Sequence, residues 1–144
     1  MARAPFVGPS RQQSFSLQVG AWADKARTNA DVVTRKVVME MVKRVVLRTP
    51  VDTGRARANW QTTIGAPAAT TLDAQDKSGG AAIGRGVEVA GRFPMGATVW
   101  ISNALPYAPR LEYGWSKQAP AGMVRVTVAE FQGLVSALAG EVKR

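Results

Sequence analysis

Apolar residues recur at spacings of three and four from near Phe15 onward. Trp22, Ala26, Ala30, Val33, Val37, Met41 and Val45 fall on one face of a helix, and Val38, Val42 and Val46 widen it. Charged residues, among them Lys25, Asp31, Arg35, Lys36, Glu40, Lys43, Arg44 and Arg48, occupy the rest. Thr49-Pro50 stops the helix, because a residue before proline disfavours the αR region. A helix from Gly20 to Arg48 runs about 42 Å at about 1.5 Å per residue. A compact chain of this size is only about 37 Å across. One end of the helix is therefore expected to project, break, or pack on a neighbouring subunit.

Val51-Asp52-Thr53-Gly54 reads as a turn. Asp52 and Thr53 can bond local amides, and Gly54 can take positive φ. Trp60, Thr62 and Ile64 alternate as in a strand that ends at Gly65-Ala66-Pro67. Residues 66–96 begin as a loop; Ala81 to Ala90 could form a poor, glycine-weakened helix. Ala97–Asn103 is the clearest strand, rich in β-branched and aromatic residues. Arg110–Gly114 suits a short helical turn closed by glycine, and Trp115 to Gly122 a loop. Val124–Val128 alternates like a strand, yet Val124, Val128, Phe131, Val135, Leu138 and Val142 form a helical stripe to the chain's end; helix is the preferred reading. The expected fold is α+β, with a long N-terminal and a C-terminal helix packed on a small antiparallel sheet. Residues 1–14 are expected as an extended arm, and 15–144 as a single domain with a variable insert at about 66–96.

Composition narrows the chemistry. The 144 residues contain no cysteine and no histidine. Disulfides, thiol nucleophiles, Ser-His-Asp catalysis and sites built on thiolate or imidazole ligands are excluded. Nineteen Lys and Arg against ten Asp and Glu give a net charge of +9, which attracts polyanions without identifying a nucleic-acid reader. No apolar run reaches the length of a membrane span, and the N-terminus lacks the apolar core of a secretory signal.

Candidate motifs are weak. Gly84–Gly91 lacks the spacing of a dinucleotide loop, and Asp76-Lys-Ser-Gly-Gly80 is not a phosphate-binding loop but a flexible one. Asp52, Glu112 and Glu130 could form a carboxylate pair, but nothing brings two of them together, and no catalysis, cofactor or metal is expected. Arg55, Arg57, Arg110, Lys117 and Arg125 could meet phosphates, and Trp60, Trp100, Tyr107, Tyr113 and Trp115 could stack on bases. These residues are scattered along the chain, which does not suggest sequence-specific readout.

Two stretches carry a specific resemblance. Thr49-Pro-Val-Asp-Thr-Gly-Arg-Ala-Arg-Ala-Asn-Trp60 resembles the turn after the long first helix of the tail-completion (neck) proteins of long-tailed bacteriophages. Ile101-Ser-Asn-Ala-Leu-Pro-Tyr-Ala-Pro-Arg-Leu-Glu-Tyr-Gly-Trp-Ser-Lys-Gln-Ala-Pro-Ala-Gly-Met-Val-Arg125 resembles a second segment of the same family. The order of elements also agrees, over roughly residues 15–142. The resemblance implies a structural, non-catalytic α+β subunit of the virion, made in the host cytoplasm. It implies a ring, typically a hexamer, that completes the tail and joins it to the head connector. The implied partners are further copies, the connector, and tail terminator or tail tube proteins, with no membrane and with non-specific DNA contact left open. The alternative is a small basic DNA-binding or packaging accessory protein.

Within the second segment, Tyr107, Arg110, Glu112, Tyr113, Trp115, Lys117 and Gln118 are the candidate subunit or neck interface, because Tyr, Trp and Arg anchor interface hot spots. Glu112 is expected to pair with an arginine of its own or an adjacent chain. Tyr107, Leu111 and Tyr113 could equally cap the core. Asp52, Thr53 and Gly54 are assigned to shaping the turn.

Overall fold

The computed structural model describes residues 11–143, with side chains from Phe15. Residues 1–10 of the expected arm lie outside that range. Residues 11–14 belong instead to the first helix, α1, Arg11–Arg48. After it come α2 (Arg55–Ala58), β1 (Trp60–Ile64), α3 (Gly80–Arg92), β2 (Val99–Asn103), α4 (Ala108–Glu112), α5 (Val124–Ala129) and α6 (Phe131–Val142). The fold is α+β and mostly helical. Its sheet is one antiparallel pair running from Trp60 opposite Asn103 to Ile64 opposite Val99.

The unbroken α1 is about 57 Å long at about 1.5 Å per residue. Only its C-terminal half is well covered. Val42, Val45 and Val46 pack with Trp60 of β1, Ala82 of α3, and Ala119 and Met123 of the late loops. The start of the expected stripe lies outside that cluster, and Trp22 is 72% exposed. Helical periodicity identified an apolar face, but a globule this size cannot span a helix this long. The N-terminal half therefore projects.

Residues 80–93 are part of the core. Ala82, Val89, Ala90 and Phe93 are buried, and α3 lies against α1 and β1. The glycines expected to weaken this helix include Gly86, where a Cβ would sit 2.5 Å from Val42 Cγ1. Its missing side chain lets α3 approach α1, and that packing outweighs the intrinsic cost of glycine in a helix.

The C-terminal stripe is also corrected. The helix breaks at Glu130 between α5 and α6, and the buried side chains are Thr127 and Leu134. Val124, Val128 and Phe131 are exposed. Glu130 explains the rotation: its carboxylate is held by Arg44 and Arg48 of α1, while Arg48 also donates to the Thr127 hydroxyl at 3.0 Å. These bonds turn the polar edge of α5 toward α1. From there α6 runs back along α1, bringing Ala139 and Val142 beside Ala26 to Val33.

Candidate functional site

Two segments far apart in sequence close on each other at the C-terminal end of α1. Pro50–Ala56 forms one wall of a pocket of about 330 Å³, and Tyr107, Arg110, Leu111, Trp115, Ser116 and Gln118 form the other. The turn residues Asp52, Thr53 and Gly54 thus share one surface with Tyr107, Arg110, Trp115 and Gln118, whereas Glu112, Tyr113 and Lys117 do not line it.

The first wall is built on glycine and threonine. Gly54 has φ +87°, as its turn role required. A Cβ there would lie 2.5 Å from the backbone of Asp76 and Lys77, so glycine also permits a close chain crossing. The Gly54 carbonyl accepts the amides of Ala58 and Asp76 at 3.0 Å each. Thr53 Oγ1 accepts the Arg55 amide at 3.3 Å. Asp52 is exposed at the pocket's edge.

Thr49 and Trp60 anchor this wall to the core. The Trp60 indole donates to Thr49 Oγ1 at 2.7 Å, and that hydroxyl donates to the Val45 carbonyl at 2.7 Å. The Arg57 guanidinium donates to the carbonyls of Leu47, Thr49 and Lys77 at 2.8–2.9 Å. It satisfies the free carbonyls at the end of α1 and favours the negative pole there. Arg57 therefore serves the fold rather than a phosphate, and Trp60 is buried rather than available to stack.

Glu112 organises the second wall. Its carboxylate accepts the amides of Met123, Val124 and Arg125 at 2.8–2.9 Å and the Arg125 side chain at 3.1 Å. The expected arginine partner is thus Arg125 of the same chain. Burial pushes the Glu112 carboxyl up, but the three amides and Arg125 outweigh it and hold the group below its ordinary range. Gly122, at φ +88°, lets the chain pass close to the Glu112 carbonyl.

The aromatics divide. Leu111 packs against the core cluster, whereas Tyr113 and Trp115 are each 76% exposed. Neither caps the core. Arg125 lies 5.1 Å from the Tyr113 ring centre and Arg110 5.6 Å from that of Trp115, so each exposed ring is braced by a cation. Tyr107 and Arg110 sit on the pocket wall, and Lys117 is an exposed neighbour. Gln118 ties the walls together: its amide donates to the Val51 carbonyl at 3.0 Å and accepts the Val51 N–H at 2.9 Å.

Sequence reasoning missed two supporting residues. Asn59 is fully buried, accepts the Leu72 amide at 2.7 Å and donates to the carbonyls of Arg55 and Leu72. Asp76, set aside as part of a flexible loop, accepts the amides of Gly79 and Ala81 and the Ser78 hydroxyl at the start of α3. Burial raises the Asp76 carboxyl, but these bonds prevail and lower it. An acid just ahead of a helical pattern was the available signal.

The three candidate carboxylates do not form a pair. Glu112 and Glu130 are each engaged by hydrogen bonds and arginines, and Asp52 stands apart at the turn. Among the described residues, no helix is long and apolar enough to cross a membrane. No protein-family model, curated protein or solved structure matches the chain.

Proposed function

We propose that this chain is a structural protein of a phage neck or tail end, a ring subunit that completes the tail and joins it to the head connector. The observation that carries the reading is the meeting of the two resembling segments, Thr49–Trp60 and Ile101–Arg125, around one pocket with Trp115 on its edge. The projecting half of α1 adds a second apolar surface suited to assembly.

The arginines weigh against the DNA-binding alternative. Arg35, Arg44, Arg48, Arg57, Arg85 and Arg125 all donate to carbonyls or carboxylates within the fold. Six of the nineteen basic residues are therefore engaged by the fold itself.

The test is complementation. Heads and tails from a phage lacking this chain are mixed with the purified protein and scored for joined particles. Joining that depends on the protein supports the reading, and no joining at any protein concentration overturns it. Titration with duplex DNA at rising salt separates the alternative. Binding through several phosphates falls steeply with salt, whereas contacts between subunits of like charge, +9 each, are strengthened by screening.

A further inference from the structure

The projecting half of α1 carries both large apolar side chains and a groove that lacks an occupant. Phe15, Val19 and Trp22 are exposed, and with Ala26, Asn29 and Val33 they follow alternating spacings of four and three. That is the seam spacing of helix-on-helix packing. Farther along the same face, Ala26, Ala30 and Val33 of α1 and Ala139 and Val142 of α6 line an open groove of about 650 Å³. Trp22, Lys25 and Lys143 also line it, and Ala26, Ala30 and Ala139 are the small side chains that leave it room.

We infer that this groove receives the projecting α1 segment, Phe15–Trp22, of a second copy of the chain. Rigidity keeps the same chain's Phe15 out of the groove, although its Trp22 lines one end, because Phe15 and Ala26 lie about 16 Å apart along one straight helix at about 1.5 Å per residue. Bulk matches: large Phe15 and Val19 face small Ala26, Ala30 and Ala139. Charge does not oppose the contact. Gln12–Ala23 contains no charged residue in a chain of net charge +9, so this stretch approaches the groove's Lys25 and Lys143 without bringing like charge.

The contact is head-to-tail. It rests on the ring reading, because a reciprocal two-fold pairing would use both surfaces of both copies and stop at a dimer. Its size also fixes the kind of experiment. Phe15 and Trp22, 67% and 72% exposed, together offer about 200–350 Å² at roughly 150–250 Å² per aromatic. That is below the roughly 800 Å² per partner of a stable interface. Association in solution is accordingly weak, and covalent capture is the suitable readout.

The chain has no cysteine, so engineered pairs are clean. Val19→Cys and Ala139→Cys chains are oxidised separately and mixed. The expected result is a disulfide-linked dimer in the mixture at least tenfold more abundant than in either variant alone. A chain carrying both substitutions gives a ladder beyond the dimer. Phe15→Ser, on the projecting helix away from the core, is added to both chains as a control and removes the cross-link at an unchanged melting temperature. No enrichment in the mixture overturns the inference, and so does a doubly substituted chain that stops at the dimer. Particles joined by the wild-type protein without capture by the cysteine pair refute this contact while leaving the neck reading intact. Failure to join particles refutes that reading instead.

Discussion

Gln118 grips Val51 through both halves of its amide, donating to the carbonyl at 3.0 Å and accepting the N–H at 2.9 Å. This pair of bonds fixes the distance between the turn after α1 and the loop that carries Trp115. The donor–acceptor fork on one side chain matches a backbone unit as a second strand would, so the two loops hold their spacing without a sheet between them.

Gln118→Met should therefore loosen the pocket without unfolding the protein. Both Val51 groups can turn to water, and the net loss is about 1–2 kcal/mol for two exposed hydrogen bonds. Faster exchange of the Val51 amide proton, with the Trp60 indole proton still protected, is the expected signature. Unchanged exchange at Val51 would show that the loops are held elsewhere.

Gly54→Ala tests the crossing at Asp76. Positive φ alone costs an L-residue about 1–2 kcal/mol. Gly65 supplies the reference, because it has φ +88° with nothing within 4 Å of its Cβ position. Gly65→Ala should cost only that backbone strain. Gly54→Ala should cost clearly more, since its Cβ would meet backbone at 2.5 Å. Equal losses in denaturant unfolding would mean that the 76–77 segment shifts freely.

The fold was legible in the sequence where local pattern decides it. The stripe ending at Val45 and the stop at Thr49-Pro50 gave α1, and β-branched and aromatic residues marked both strands. The pattern could not say what covers a face. Trp22 and Val45 look alike in periodicity, but Val45 is buried among other elements, while Trp22, beside the end of α6, stays 72% exposed. Gly86 reads as a weak point of a helix, and its value comes from Val42, more than forty positions away. Val128 and Phe131 were expected inside because the Glu130 bonds to Arg44 and Arg48, which rotate the helix, leave no local trace. At the site, the loop from Trp115 to Gly122 and the assignment of Trp115 to an interface were legible, and the ring is exposed. That its loop closes on the Asp52–Gly54 turn depended on the Gln118–Val51 pairing, which spacing does not reveal.

Glu112 should make stability depend on acid. Its folded pKa lies below the ordinary value, so its contribution is fully present above the unfolded pKa of about 4.3. The contribution is lost as pH falls through the folded value. Glu130 is also lowered, through Arg48 and then Arg44, and acts in the same window. Glu112→Gln should flatten the fall in stability below about pH 4.3 relative to wild type and lower the plateau near neutrality. A parallel acid profile for the two proteins would remove Glu112 from this role.

Trp115 gives the sharpest separation of interface from core. Its side chain is 76% exposed and its cation neighbour, Arg110, lies 5.6 Å from the ring centre. A braced ring of this kind loses little freedom on docking, which suits it to anchor a partner. Removing it from the isolated subunit costs only an exposed cation–π contact, about 0.5–1 kcal/mol. Trp115→Ala should therefore leave the melting curve nearly unchanged while abolishing head–tail joining in the complementation assay. Arg110→Gln, which unbraces the ring but keeps it, should reduce joining less. A large drop in melting temperature for Trp115→Ala would make the ring part of the fold. Full joining by the variant would place the neck contact elsewhere on the subunit.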